Sequence, residues 1–140
     1  MWKVSKLFKF ACAHKLDLDY DSPCKSIHGH EYYVRVIINA NKLNNDGMVI
    51  DFYHLKKFEK YLNDNYDHST LVKSDDIELI HYLNMNKQKY VSFDTNTTAE
   101  AIAERLCENF VNMFYQEGWT EVEMQVWETL NNYASYIKKL

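Results

Sequence analysis

Three histidines stand at positions from which they could bind a single metal ion. His28 and His30 are two residues apart, so in a β-strand their imidazoles would project from one face, about 6.6 Å apart at the backbone. His14 ends an earlier segment with the same alternation, and antiparallel pairing of the two segments would place it opposite His28 or His30. Three neutral imidazoles suit zinc, and three protein ligands leave one coordination position open, as in catalytic zinc sites. The alternative is that hydrogen bonds to carbonyl groups satisfy these histidines without a metal.

Other residues could move protons beside such an ion. Cys24 lies four residues before His28 in a polar loop, where a nearby cation would favour its thiolate form and allow it to act as a base. Asp67 and His68 are adjacent and could form an acid, base or orienting pair. Both features also have simpler interpretations, because a loop cysteine is often inert and neighbouring loop residues need not contact each other.

Glu128 and two threonines are candidates for holding a substrate. Glu128 continues the two-residue alternation of segment 122–126, so its carboxylate is expected on the covered face, where burial requires a hydrogen-bonding partner. Two parallel N–H groups of a heterocycle would match that carboxylate, although a structural salt bridge or a strand end that has reached solvent would explain it as well. Thr97 and Thr98 precede a helical pattern and fit equally well as helix caps.

The histidines are positioned by two predicted strands. Alternating apolar residues predict one strand over Val4 to His14 and a second over His28 to Ala40. The intervening segment, Lys15 to Ile27, is polar, rich in aspartate and holds the only proline, Pro23. We therefore expect an antiparallel pair joined by a loop that also carries Cys24.

Two helices are predicted after this pair. Asp51 is expected to cap a first helix that continues to about Leu62, where apolar residues recur at helical spacing. The capping-box spacing of Thr97 and Glu100 predicts a second helix of about 20 residues that ends near Gly118.

Two further strands complete the predicted fold. Renewed alternation predicts them over Thr120 to Thr129 and over Tyr133 to Ile137. Segment 71–94 is interpreted as a short helix plus a short strand, with no function assigned. The order ββααββ predicts the α+β class, with a four-stranded antiparallel sheet and two helices on one face. The open edges of such a sheet favour pairing with another chain.

The composition excludes several classes of protein. The 140 residues include 16 Lys plus Arg and 20 Asp plus Glu, a formal net charge of −4, so no net positive field is available to gather nucleic acid or an anionic membrane. Three cysteines are too few, and odd in number, for a disulfide framework, and they suit a reducing, cytoplasmic compartment. No apolar run reaches the length of about 18 residues that predicts a membrane span. We expect one domain over residues 1–140, without nucleic-acid or membrane partners.

Six short segments, in order along nearly the whole chain, carry a resemblance to known proteins. They are Phe10-Ala11-Cys12-Ala13-His14, Cys24-Lys25-Ser26-Ile27-His28-Gly29-His30, Gly47-Met48-Val49-Ile50-Asp51-Phe52, Asp67-His68-Ser69-Thr70-Leu71, Thr97-Thr98-Ala99-Glu100 and Glu128-Thr129. Together they resemble the successive motifs of the 6-pyruvoyltetrahydropterin synthase / 6-carboxytetrahydropterin synthase family. Any one motif is short, but six in register are specific.

The resemblance implies both an assembly and a set of site residues. The fold would be a tunnelling fold (T-fold), in which the ββααββ unit assembles into a barrel-forming homo-oligomer, commonly a hexamer built as a dimer of trimers, with sites at subunit contacts. The substrate would be a small molecule, 7,8-dihydroneopterin triphosphate. The implied roles are zinc binding by His14, His28 and His30, removal of a substrate side-chain proton by Cys24, completion of the proton-transfer triad by Asp67 and His68, anchoring of the pterin ring by Glu128, and further substrate contacts by Thr97 and Thr98.

The spacing within one motif favours one branch of the family. Three residues separate Cys24 from His28, which resembles the bacterial 6-carboxytetrahydropterin synthases, whereas the pyruvoyl-forming animal enzymes usually have one more. That branch implies a zinc-dependent lyase, with no redox cofactor, that forms 6-carboxy-5,6,7,8-tetrahydropterin, acetaldehyde and triphosphate on the 7-deazaguanine route to queuosine. The alternatives are a 6-pyruvoyltetrahydropterin synthase and a zinc-stabilised, non-catalytic pterin-binding relative. The chain departs from the family pattern at Val72 and Thr97 and in the length of segment 72–96.

Overall fold

The centre of the molecule is an antiparallel pair of long strands. The computed structural model describes residues 1–140, and in it β1 (Trp2–His14) pairs with β2 (His28–Ala40) along its whole length. The strand predicted over His28 to Ala40 is confirmed, and the strand predicted from Val4 begins slightly earlier, at Trp2. Even-numbered side chains are buried from Phe8 to His14 in β1 and from Tyr32 to Ala40 in β2, as the two-residue alternation requires, whereas His28 and His30 are partly buried.

The sheet has six strands, and the prediction of four was wrong. β3 (Ser69–Lys73) and β4 (Tyr90–Phe93) extend it on one side, and β5 (Trp119–Trp127) and β6 (Tyr133–Lys139) extend it on the other, in the order β4-β3-β1-β2-β5-β6. β3 is parallel to β1 and β4 is parallel to β3, so the sheet is mixed rather than wholly antiparallel. These two strands have five and four residues, and β3 buries consecutive residues, so it lacks the alternation that marks a half-exposed strand.

Three α-helices connect and cover the strands. They are α1 (Lys56–Asn65), α2 (Ile77–Met85) and α3 (Ala99–Phe114), and the complete order is β1-β2-α1-β3-α2-β4-α3-β5-β6. The predicted order ββααββ therefore omitted the unit β3-α2-β4, although a short helix and a short strand were expected within segment 71–94. None of the three helices is both long enough and apolar enough to cross a lipid bilayer.

The helix ends differ from their predicted positions. Asp51 accepts a hydrogen bond from the Tyr53 N–H at 2.8 Å, but it caps a turn, because α1 begins only at Lys56. The N-cap of α3 is Thr98, whose hydroxyl accepts from the backbone N–H three residues later at 3.2 Å, so the choice of Thr97 as the cap was wrong. α3 has 16 residues and ends before the turn that contains Gly118, so it is shorter than expected.

An aromatic core holds α1 and α3 against the even-numbered face of the central strands. The Phe58 ring of α1 lies 5.3 Å, between centroids, from Phe8 of β1 and 5.1 Å from Phe110 of α3. The stack of Phe10 on Tyr32, with centroids 5.4 Å apart, continues this core towards the end of the ladder. Burial of each such ring contributes about 1.5–3 kcal/mol, so the core fixes the strand ends that carry the histidines.

Two glycines with positive φ allow a matched test of packing before β5. Gly118 has φ +99°, and a Cβ atom there would lie 2.7 Å from the Cβ and 2.8 Å from the carbonyl oxygen of Lys42. Gly47 has φ +77°, and no atom lies within 4 Å of the position that a Cβ atom would take there.

We expect Gly47→Ala to lower the free energy of unfolding by about 1 kcal/mol through backbone strain. Gly118→Ala should lower it by about 2–4 kcal/mol, because steric overlap adds to the strain. Urea unfolding measures both losses, and equal losses would contradict the packing described here.

Candidate metal centre

The three histidines converge at one end of the β1–β2 ladder. The register pairs His14 with His28, and it pairs the residue two before His14 with His30. The ring centroids are 4.6 Å apart for His14 and His28, 5.3 Å for His14 and His30, and 4.9 Å for His28 and His30. One nitrogen from each ring can be chosen such that all three lie within 4.8 Å of one another, and no cysteine or carboxylate belongs to this group. The group could hold a metal ion with three protein ligands.

Hydrogen bonds fix the tautomer of two of the rings. His14 Nδ1 lies 2.8 Å from the carbonyl oxygen of Thr97, and His28 Nδ1 lies 2.7 Å from the carbonyl oxygen of Ser26. A carbonyl oxygen only accepts, so Nδ1 carries the proton in both rings and the lone pair is on Nε2. This is the arrangement of metal-ligating histidines, whose second nitrogen is usually held by a carbonyl or carboxylate. The carbonyl groups therefore satisfy Nδ1 of both rings and leave Nε2 as the nitrogen that could bind a metal. Nε2 of His14 also lies within hydrogen-bonding distance of the Tyr32 hydroxyl, at 3.3 Å.

His30 supplies the test of whether a cation fits. Its Nε2 is buried and has no hydrogen-bonding partner. The nearest carboxylate oxygen, Oε2 of Glu128, is 3.9 Å away, which is too long for a hydrogen bond. Burying an unpaired nitrogen costs free energy, and a cation bound by the three rings would remove that cost. The donor set, three imidazole nitrogens, suits zinc and related divalent transition metals.

Burial favours the neutral form of two of the imidazoles. Burial lowers the pKa of His14 to about 4; the Thr97 carbonyl opposes this shift, and His28 and His30 add to it. The pKa of His30 is also lowered, chiefly by burial; the Glu128 carboxylate opposes this shift and His28 adds to it. A lowered pKa favours neutral His30, so its contact with Glu128 is not treated as an ion pair. Neutral imidazole is the form that coordinates a metal, so burial prepares His14 and His30 for binding.

Tyr32 lies beside the histidines and was missed from the sequence. Its hydroxyl is 3.3 Å from His14 Nε2, and its ring centroid is 5.3 Å from that of His30. Burial raises the pKa of Tyr32, and its neighbours Cys12 and Glu128 raise it further, so the side chain stays a neutral phenol. The signal was present in the alternation, because Tyr32 has the same phase as His28 and His30.

Cys24 lies in a short 3-10 turn, Pro23–Lys25, in the loop between β1 and β2. The hydroxyl of Ser22 accepts from the Cys24 N–H at 3.2 Å, and the Cys24 carbonyl accepts from the Leu16 N–H at 2.8 Å. These bonds tie the turn to the chain just after His14. The thiol is half-buried and not in a disulfide, whereas the other two cysteines are buried.

Asp67 and His68 contact each other. His68 Nδ1 lies 2.7 Å from Asp67 Oδ2, and the backbone of Ala11 accepts from the His68 N–H and donates to Asp67 Oδ1, at 2.7 and 2.9 Å. The hydrogen bond from the Ala11 N–H has the largest effect on Asp67 and, together with the contact to His68, holds the pKa of this carboxyl group below its usual range. His68 has φ +57°, and its side chain is 85% exposed. The imidazole therefore faces solvent and contacts none of the three clustered histidines within one chain.

The predicted substrate contacts occupy two different environments. Glu128 follows the end of β5, its side chain is 32% exposed, and it lines a cleft of about 240 Å³ together with Thr98. Thr97 is fully buried, and its carbonyl and hydroxyl oxygens lie 2.8 and 3.2 Å from His14 Nδ1. Glu128 and Thr98 are thus open to a ligand, whereas Thr97 orients His14.

Comparison with known proteins agrees with this fold. A family model described as 6-pyruvoyl tetrahydropterin synthase matches residues 3–139. The 6-carboxy-5,6,7,8-tetrahydropterin synthase of Rickettsia conorii is 33% identical over 134 residues, which cover 94% of this chain and 96% of that protein. The enzyme of the same name from Haemophilus influenzae is 30% identical over 143 residues, which cover 97% and 99%.

Solved structures show the same architecture. The crystal structure of 6-pyruvoyl tetrahydropterin synthase from Plasmodium vivax superposes with a TM-score of 0.77 at 18% identity, and the match covers 100% of both chains. The synthase from Caenorhabditis elegans gives a TM-score of 0.68 at 22% identity, covering 99% of this chain and 96% of that one. Since the family match extends over nearly all of the sequence and the fold agrees, the chain belongs to the 6-pyruvoyl tetrahydropterin synthase family.

Proposed function

We propose that the protein is a zinc-dependent 6-carboxy-5,6,7,8-tetrahydropterin synthase. The reaction would convert 7,8-dihydroneopterin triphosphate to 6-carboxy-5,6,7,8-tetrahydropterin, acetaldehyde and triphosphate, as a step towards 7-deazaguanine compounds such as queuosine. The observation that carries the proposal is the three-histidine group with its unpaired buried nitrogen, which lies 3.9 Å from the Glu128 carboxylate. Cys24 lies on the loop that joins the two strands that bear these histidines. The relatives that share 33% and 30% identity and bear the 6-carboxy name support this branch of the family.

The metal would be held by His14, His28 and His30. A zinc ion at this position would supply positive charge that polarises the side-chain hydroxyl groups of the substrate and stabilises developing negative charge. The protein's own contribution is to hold the rings neutral, to orient His14 and His28 through carbonyl groups, and to limit access of water by burying His14.

The proton-transfer groups would be Cys24, His68 and Asp67. The Cys24 thiolate is proposed to take a proton from the substrate side chain, since this thiol is the only one of the three that is not buried. In His68 the Nδ1 proton is donated to Asp67, so Nε2 is available to accept or return a proton at the solvent-facing side of the ring. Asp67 acts as the positioning residue of this pair.

Glu128 would hold the pterin ring. A pterin presents a ring N–H beside an exocyclic amino group, and these two parallel donors match the two oxygens of one carboxylate. Glu128 lines an open cleft with Thr98, and Oε2 is 3.9 Å from His30 Nε2, so a ring bound there would have its side chain beside the histidines.

We also propose that the active site is completed by a second copy of the chain in a homo-oligomer, a hexamer built as a dimer of trimers. Support comes from the exposed position of His68, which contacts none of the clustered histidines of its own chain. Further support comes from the open face of the sheet, where Leu7, Trp127 and Leu130 line an apolar cleft of about 320 Å³.

A second candidate function shares the whole site. A 6-pyruvoyltetrahydropterin synthase would use the same metal, thiol and imidazole and differ only in product, and both the family description and the solved structures named above carry that activity in their names. A non-catalytic pterin-binding relative is the third candidate.

The product distinguishes the three candidates. We expect the zinc-loaded protein, incubated anaerobically with 7,8-dihydroneopterin triphosphate, to release acetaldehyde and a carboxypterin, detected by mass spectrometry. A pyruvoylpterin without acetaldehyde would instead assign the pyruvoyl-forming reaction. Absence of substrate consumption by metal-loaded protein would contradict both enzymatic functions.

Metal content tests the histidine group directly. Loss of an outer hydrogen-bonding partner typically weakens a metal site 10–100-fold, so loss of a ligand in His28→Ala should weaken zinc binding by more than about 100-fold. The matched control is His54→Ala, because His54 is exposed in the turn before α1. Elemental analysis after gel filtration should give one zinc per chain for the wild type and the control and almost none for His28→Ala. Equal zinc content in all three proteins would refute the proposed ligand set.

Two inactive variants test the proton-transfer groups and the shared site together. Cys24→Ala and His68→Ala should each keep their zinc and lose turnover by about 10²–10⁴-fold, the usual contribution of a general acid or base. Ser26→Ala is the control at the end of the same turn, because the Ser26 carbonyl group that accepts from His28 remains. When the two inactive variants are unfolded, mixed in equal amounts and refolded, about a quarter of the sites would combine an intact Cys24 from one chain with an intact His68 from another.

Recovery of about a quarter of the wild-type activity in the mixture would therefore support a site built from two chains. No recovery, with both variants correctly assembled and loaded with zinc, would contradict the shared site while leaving the metal centre untouched. Full activity of Cys24→Ala alone would remove the thiol from its proposed role.

A further inference from the structure

A cleft at the β4 edge of the sheet, opposite the edge formed by β6, has the properties of a second binding site. It lies between the C-terminal end of α1, the beginning of β4 and the middle of α3, and it has a volume of about 440 Å³. We name it the α1–α3 cleft and define it by six of its polar lining residues, which are Tyr61, Asp64, Tyr66, Lys89, Arg105 and Asn109. Its volume is within the range of about 300–1,000 Å³ found for small-molecule sites. None of these residues belongs to the histidine group or to the cleft at Glu128.

A buried and unpaired hydroxyl group lines this cleft. Tyr66 is 1% exposed, and its ring packs on Phe10 and Tyr61 with centroids 5.3 and 6.0 Å apart. The phenol oxygen has no hydrogen-bonding partner. Burial raises the pKa of this phenol, and the neighbouring Tyr61 and Arg105 side chains act on it in opposite directions, but neither lies in hydrogen-bond geometry with the phenol oxygen. Phenylalanine would fill the same space without an unpaired polar atom, so the hydroxyl is a group that a ligand in the cleft could use.

The neighbouring groups in the cleft are donors with unused N–H and O–H bonds. The Tyr61 hydroxyl accepts from Asn109 Nδ2 at 2.7 Å, so its own proton is free to be donated. Arg105 Nη1 donates to the Ser92 carbonyl at 2.7 Å, and its guanidinium lies 3.8 Å from the centroid of the Phe93 ring. These contacts hold the guanidinium in place and use one of its five N–H groups.

The charge of the cleft is positive. Neither Arg105 nor Lys89 forms an ion pair with a carboxylate. Lys89 Nζ donates instead to the carbonyl groups of Asn63 and Asp67, at 2.8 and 2.6 Å. The one carboxylate in the cleft, Asp64, is paired with Lys60 at 2.5 Å. Two cations without a carboxylate partner, Arg105 and Lys89, therefore line the same cleft as the hydroxyl-bearing side chains of Tyr61 and Tyr66.

We propose that the α1–α3 cleft binds a small oxyanion, a phosphate or carboxylate group held by Arg105 and by the hydroxyl groups of Tyr61 and Tyr66. An oxyanion accepts hydrogen bonds from several donors at once, and a guanidinium matches two of its oxygens in parallel. A single water could satisfy Tyr66 alone, but a water occupies only about 30 Å³ and would leave the cations of the cleft unpaired. This site is independent of the proposed reaction, since it shares no residue with the metal centre.

The test is calorimetric titration of the zinc-loaded protein with inorganic phosphate and, separately, with acetate, at an ionic strength held constant with chloride. We expect saturable binding that is weakened by about tenfold or more in Arg105→Gln and in Tyr66→Phe. Arg35→Gln is the matched control, because Arg35 is the only other arginine and is exposed on β2. Stronger binding of phosphate would identify a phosphoryl group as the ligand, and stronger binding of acetate would identify a carboxylate.

Several results would overturn the proposal. These are no saturable binding of either anion, equal affinity in the wild type and both cleft variants, and loss of binding in His28→Ala, which would place the anion at the metal centre instead. Tyr66→Phe keeps the ring packing and covers the case in which Arg105→Gln fails to fold. In buffer without either anion its melting temperature should equal or exceed that of the wild type, and a lower value would show that the hydroxyl already has a partner within the protein.

Discussion

The pairing of β1 with β2 is the constraint on which the rest of the site depends. Thirteen residues of each strand pair in one register, which sets His14 opposite His28 and brings His30 alongside. A shift by one residue would move the histidines of β2 to the other face of the sheet. The register is enforced by the aromatic and aliphatic side chains of the same face, which pack under α1 and α3. Hydrophobic packing along most of the ladder thus positions polar groups at its end.

The polar end of the ladder carries a cost of burial that the chain offsets only in part. Three imidazoles are crowded together, one of them has an unpaired buried nitrogen, and burial lowers the pKa of His14 to about 4. The Thr97 carbonyl offsets part of this cost by accepting from His14, which explains a fully buried threonine just before α3. Binding of a cation would remove the remainder, so metal affinity and folding are expected to be coupled.

Alternation in the sequence was enough to predict the centre of the fold but not its edge. β2 was predicted to the residue, because it has one covered and one open face over its whole length. β3 and β4 are short and parallel, and β3 buries the neighbouring residues Leu71 and Val72, so periodicity carries no signal there. Local capping rules likewise could not separate Thr97 from Thr98, since that choice depends on a contact with His14, distant in the sequence.

The candidate site likewise has parts that the sequence predicts and parts that it does not. The convergence of His14, His28 and His30 follows from strand pairing and could be predicted. The unpaired Nε2 of His30 and the closeness of Tyr32 depend on side-chain packing and could not. The contact between His68 and Asp67 depends on a positive φ at His68 and on bonds to Ala11 of a neighbouring strand, which an isolated dipeptide does not reveal.

Three imidazoles and no thiolate are proposed to bind one cation. Zinc K-edge X-ray absorption of the protein loaded with one equivalent of zinc measures this ligand set. We expect only nitrogen or oxygen neighbours at about 2.0–2.1 Å, with the multiple scattering of three imidazole rings. A sulfur neighbour at about 2.3 Å, which would make Cys24 a ligand, or fewer than three imidazoles, would contradict it.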